Sequence, residues 1–306
     1  MCLIISNKIG YIAEENIVCY KILIKGADGK FITPCQSWPV ELGTTLIPDE
    51  KEPDISEYGV VKWCINGGAI HACLDSENDD GEYIFKAIIP KGTRYWIGDN
   101  LKEIASEKLE LTDELVNEAS VKFDYSIFLD YGADVKLKDG SRVKIRDKFR
   151  REEVEGIFAY DNQCIGLEFT QLKFSDKPLN LNNYPSDSMI NLSDLSEAKD
   201  HMGGKELSDI LEKTCSDSNL LALNYCRKNK GYLPSARELT RVFENLGAIN
   251  ITLKLLNLSI IPRAWFWSSS VDSDAVCDVF GDGFCSSCIY YDRHAYVLPF
   301  LSSYEK

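Results

Sequence analysis

The chain has 306 residues, enough for one large domain or two ordinary ones. A composition 44% hydrophobic and 11% aromatic supports filled cores and argues against global disorder. The formal net charge of -14 argues against nucleic-acid binding, which needs a concentrated basic face, and suits neutral or basic partners.

The opening "MCLIISNKIGYIAEENIVCY" has no basic leader, and Asn7 and Lys8 break its apolar run. No signal peptide is expected, and no stretch is long enough to insert into a membrane. The 11 cysteines then read as reduced thiols, in a cytoplasmic or virion-associated protein.

Residues 1–118 read as a strand-rich α+β domain. "CYKILIKGADGKFIT" alternates and turns at Ala27-Asp28-Gly29, which predicts a hairpin. "EYIFKAIIPKGTRYWIG" reads as an apolar strand, a turn at Pro90-Lys91-Gly92 and an aromatic strand. The acidic run from Leu101 contains strand-like "KLEL" and then turns helix- or linker-like, which puts a domain boundary near Glu118. "GGAIHACLD" sets His71 and Cys73 on the same face of a strand, a pair read as structural. Glu52-Pro53-Asp54 mimics a sugar-binding tripeptide but reads as a turn.

Residues 119–306 begin with hairpins. Val135, Leu137, Val143 and Ile145 alternate around an Asp139-Gly140 turn, and "EVEGIFAYDNQCIGLEF" is a second strand pair. "KFSDKPLNLNNYPSDSMINLSDLS" is turn-rich and predicts a surface loop. The period then changes. Leu207, Ile210 and Leu211 mark a helix continued by "NLLALNYCRKN". Ser235 and Glu238 form a capping box ahead of a stripe of Leu239, Val242, Phe243 and Leu246. "INITLKLLNLSI" is a third apolar segment.

"VDSDAVCDVFGDGFCSSCIYYDRHAY", residues 271–296, is too polar for a core and too aromatic for a solvated loop. Cys277, Cys285, Cys288 and His294 have the donor types of a zinc site, but only Cys285-x-x-Cys288 has a common ligand spacing. Asp272, Asp274, Asp278 and Asp282 miss the calcium-loop spacing, and no bidentate Glu follows. His294 could serve a cysteine nucleophile, yet no third orienting group can be named. Free cysteines are otherwise small, semi-buried side chains.

What is missing discriminates better. From Ser268 through Tyr304 there is no Lys, Glu, Gln, Met or Trp, the five residues that codons ending in a pyrimidine cannot encode.

Tyr232-Leu233-Pro234-Ser235 with Glu238-Leu239, Ala248-Ile249-Asn250, Trp267-Ser268-Ser269-Ser270, Gly283 and Tyr296-Val297-x-Pro299 resemble the C-terminal module of variable proteins of diversity-generating retroelements. Gly203-Gly204-Lys205 also fits, whereas Leu298 stands where such modules often carry arginine. The resemblance covers roughly the last 190 residues, most strongly the last 75. It implies a C-type-lectin-like fold related to formylglycine-generating enzymes, with two or three helices and short antiparallel sheets. It also implies that codons copied with errors at adenines supply a diversified ligand-binding face, with no cofactor.

The face expected to be exposed is Asp272, Ser273, Asp274, Cys277, Asp278, Asp282, Phe284, Ser286, Ser287, Tyr290, Tyr291, Asp292, Arg293 and His294. Trp265, Trp267, Phe280, Val297 and Phe300 are expected to be scaffold. Such a mixture suits recognition of a protein or cell-surface ligand, since rigid aromatics give contact area and Asp, Ser and Arg give direction. The alternative is an enzyme or metal site built on Cys277, Cys285, Cys288 and His294. The first domain resembles one found in phage and gut-bacterial proteins, with faint likeness to ADP-ribosyltransferase-like folds. This domain is expected to attach the module to an assembly partner or to supply a second, unknown activity, and transferase activity is not inferred.

Overall fold

A computed structural model describes residues 3–34, 37–48, 55, 60–61, 69–74, 82–117, 123–181, 184–189, 203–215, 219–272, 275–280, 285–288 and 293–301, with backbone alone at 60–61, 187, 275–276 and 285–288. The chain divides into two compact units, Met1–Ile127 and Phe128–Lys306. Both classes of element are present and the strands pair almost wholly antiparallel, so the protein is α+β.

The first unit holds β1 (Leu3–Ile4), β2 (Tyr11–Ile12), β3 (Ile17–Lys25), β4 (Phe31–Ile32), β5 (Thr45–Leu46) and β6 (Val60–Val61). It continues with β7 (Ile70–Cys73), β8 (Glu82–Ile89), β9 (Arg94–Ile97), β10 (Glu103–Ser106) and β11 (Leu109–Val116). Its main sheet runs β2-β9-β10-β7-β3-β8-β11-β5, with β4 paired to β3. The expected hairpin forms, with Ile24 opposite Ile32 and Gly29 at a φ of 79°. That left-handed turn suits a residue without Cβ.

The acidic run differs from expectation. It stays extended to Val116, because Leu115 and Val116 pair with Phe85 and Ile84 after a bulge. Cross-strand partners on β8 override the helix-like charge pattern. This extra strand belongs to the first unit, which ends nine residues beyond Glu118, at Ile127. Glu52-Pro53-Asp54 lies outside the described residues.

The second unit carries β12 (Val135–Leu137), β13 (Arg142–Val143), β14 (Val154–Tyr160), β15 (Gln163–Gly166) and β16 (Thr170–Lys173). Then come α1 (Gly204–Thr214), α2 (Leu221–Lys228), β17 (Gly231–Tyr232), α3 (Ala236–Glu244) and α4 (Leu246–Leu255). The chain finishes with β18 (Trp265–Asp272), β19 (Ala275–Phe280), β20 (Cys285–Cys288), β21 (His294–Val297) and β22 (Phe300–Leu301). The unit thus has four α-helices among the described residues rather than two or three, because α1 and α2 are separate and α4 follows α3 directly.

One sheet runs β13-β12-β14-β15-β22-β17 and the other β16-β21-β18-β19-β20. Gly140, at a φ of 89°, turns the predicted hairpin between β12 and β13. Helix α3 begins as the capping box requires: Ser235 Oγ accepts from the Glu238 amide at 3.3 Å, and Glu238 Oε2 accepts from the Ser235 amide at 2.8 Å. Its stripe of Leu239, Val242 and Phe243 is buried. In α4 the fully buried Asn250 binds both backbone groups of Ile261, donating at 2.9 Å and accepting at 2.8 Å, so its amide is not stranded.

Two cores flank the five-stranded sheet. Phe266, Cys277 and Val279 enter the cluster with Leu239, Val242 and Leu253, while Trp267, Val271, Ala295 and Val297 enter the one with Leu211, Leu223 and Cys226. An interior strand of a sheet covered on both faces has no solvent side.

Candidate binding face

Three serines fix the base of the candidate face. The register of β18 against β19 shifts between Trp267 and Val271, across Ser268-Ser269-Ser270. Such a bulge leaves backbone groups off the ladder, and these must find other partners. Ser268 Oγ donates to the Cys277 carbonyl at 2.7 Å and accepts from the Ser270 amide at 3.2 Å. The Ser269 amide donates to the Pro234 carbonyl at 2.7 Å, and Ser270 Oγ accepts from the Ala236 amide at 3.0 Å. Glu238 completes the junction: its carboxylate accepts from the amides of Gly204 at 3.0 Å and Ser235 at 2.8 Å and from the Tyr232 hydroxyl at 3.0 Å. Burial pushes the Glu238 carboxyl up, and these donors hold it back.

The expected face falls into three groups. Ser273, Asp274, Asp282, Phe284, Tyr290, Tyr291 and Asp292, and with them Gly283, lie outside the described residues. Ser286 and Ser287 lie on β20, opposite Asp278 and Cys277 of β19. The remaining five are described in full. Arg293 and His294 are exposed and Asp272 is half-buried, whereas Cys277 and Asp278 are fully buried.

Cys277 and Asp278 therefore correct the expectation of exposure, for a common reason. Strand β19 is interior, flanked by β18 and β20. Cys277 packs into one core beside Val279, and alternation turns Asp278 to the other side, opposite Trp267 of β18. Of the residues expected to be scaffold, Trp267, Val297 and Phe300 are fully buried, while Trp265 and Phe280 are half-buried.

Asp278 is the electrostatic centre of the described face. One of its oxygens, Oδ2, lies 3.1 Å from Arg293 Nη1, and the other has no hydrogen-bond partner among the described residues. Burial pushes its carboxyl up to about 6, against the opposing pull of the Arg293 guanidinium. That guanidinium also stacks on the Trp265 ring, 4.9 Å from its centroid, and Trp265 meets Phe280 at 5.2 Å. Arg293 is thus held by an acid and an indole while 39% of its side chain stays exposed, which leaves donors of its planar fork for a ligand. Trp265, expected to be scaffold alone, orients this arginine. The missed signal was its place at the start of β18, beside the parallel partner β21.

Among the described side chains, which do not include those of Cys285 and Cys288, the zinc and nucleophile alternatives gain no assembled site. His294 lies two residues before Tyr296, which pairs with Phe266, whereas Cys277 lies level with Ser268 on the far side of β18. Strand rise over that offset separates the two by roughly 13 Å. Among the described residues no three His, Cys, Asp or Glu side chains could hold a metal. In the first unit His71 and Cys73 do lie on β7 with the histidine buried, and burial pushes the Cys73 thiol up to about 11. A thiol so protonated is a poor nucleophile at neutral pH. No helix among the described residues is long and apolar enough to cross a membrane. A scan against protein-family models, a search of curated proteins and a search of solved structures each return no match to this chain.

Proposed function

We propose that the C-terminal unit is a ligand-binding module of C-type-lectin-like architecture whose diversified face recognises a protein or cell-surface ligand. The carrying observation is the run from Ser268 through Tyr304 that lacks Lys, Glu, Gln, Met and Trp. It coincides with the end of β18, with β19, β20 and β21, and with the connections between them. Two features support the reading. The YLPS and WSSS motifs, distant in sequence, meet through the Ser269 amide and Ser270 hydroxyl. Arg293 is exposed yet restrained, which suits an interface anchor that loses little side-chain entropy on binding. The first unit attaches the module to a larger assembly, in a cytosolic or virion setting.

Sequencing the DNA around the gene tests the proposal. The expected result is a near-identical repeat carrying adenines at codons for residues such as Asp272, Arg293 and His294, beside a reverse-transcriptase gene. No repeat, or a repeat whose adenines fall on the codons for Trp267 and Ser269, would refute it.

A further inference from the structure

A second concave feature lies in the C-terminal unit, lined by residues outside β18–β21. A cleft of about 650 Å³ opens along the six-stranded sheet, with walls from β12, β14, β15, β22 and the turn before β17. Leu167, Pro299 and Leu301 give it apolar surface. Lys136 stands in its lining, 8% exposed, with Nζ 3.0 Å from Glu155 Oε2. A buried ion pair is commonly less stabilising than apolar side chains of the same volume, so packing alone does not call for lysine here.

Two more lysines line the same cleft. Lys138 and Lys230 are exposed, and neither ammonium has an ion-pair partner among the described residues. Lys230 also holds a left-handed φ of 60° just past α2, a position where glycine is the less strained choice. With Glu155 and Glu168, the lining carries three cations and two anions in a chain of net charge -14. We propose that this cleft binds a small organic molecule bearing one anionic group, a carboxylate or a phosphate, on a largely apolar body. Lys138 and Lys230 meet the anion, the Lys136–Glu155 pair stiffens the floor, and Glu168 disfavours more highly charged ligands.

Titration calorimetry of the full chain tests this with benzoate, hexanoate and phenyl phosphate, and with benzamide as the neutral isostere. At least one anion should bind, and benzamide at least about tenfold more weakly. The K138E/K230E double variant changes only exposed side chains and should retain the wild-type melting temperature. It should weaken binding of the anion at least about tenfold, while R293A leaves that binding unchanged. Binding by benzoate or hexanoate alone assigns a carboxylate ligand, and by phenyl phosphate alone a phosphate. No binding by any anion, equal binding of benzamide, or wild-type affinity in K138E/K230E would overturn the proposal.

Discussion

Asp278→Asn should stabilise the C-terminal unit at neutral pH, although it removes half of an ion pair. The carboxyl of Asp278 titrates near 3.8 when unfolded and is pushed up to about 6 in the fold. Its folded value is the higher one, so its contribution is complete below about pH 4 and is lost as pH rises through about 6. That shift is worth roughly 3 kcal/mol at neutral pH, or about 6–12 °C in the melting temperature of a unit this size. Arg293, left without its acid, is exposed enough to be hydrated. Scanning calorimetry of wild type and D278N between about pH 4 and about pH 7 should give curves that nearly meet at the acid end and diverge through about pH 6. Arg293→Ala should extend the wild-type loss of stability to higher pH, because the carboxylate then loses its only described counter-ion. The reasoning fails if D278N melts below wild type at neutral pH, or if the gap between them does not change with pH.

Glu238→Ala should strand the amides of Gly204 and Ser235, leave the Tyr232 hydroxyl only its 3.2 Å bond to Gln163 Oε1, and lower unfolding free energy by about 2 kcal/mol or more by urea titration; Glu238→Gln, which keeps an accepting oxygen, should cost less. Gly231→Ala would put a Cβ 2.3 Å from the Phe300 carbonyl, so β17 and β22 must part, and about 1–3 kcal/mol of stability should be lost in the same titration. Burial pushes the Cys164 thiol up to about 12, so peptide mapping after iodoacetamide at about pH 7 should find it unmodified in native protein and alkylated in denaturant.

The local chemistry was legible in the sequence, and the long-range pairing was not. Asp28-Gly29 and Asp139-Gly140 announce turns because their geometry is settled within four residues, and Ser235 with Glu238 announces a helix start for the same reason. Strands β8 and β9 were both visible, yet they do not pair: β8 lies between β3 and β11, and β9 between β2 and β10. No alternation encodes that choice of neighbour, nor the antiparallel addition of β22 between β15 and β17. At the face, the resemblance pointed to surface for Cys277 and Asp278, but burial there depends on β20 covering the edge of β19 and on a core lying against each side. Single-residue chemistry carries no trace of such coverage.

The parallel pairing of Phe266 with Tyr296 has a bearing on length. It pins two points of the chain side by side, so the connections between β18, β19, β20 and β21 join ends that the sheet already fixes. The entropy of closing a flexible loop grows only with the logarithm of its length, about 0.6 kcal/mol for a doubling. Insertions and deletions in the connections that flank β19 and β20 should therefore cost little, whereas a one-residue change within β19 would swap the sides of the buried Cys277 and Asp278. The region has room to change its reach and curvature, and so to fit partners of different shape as well as different chemistry.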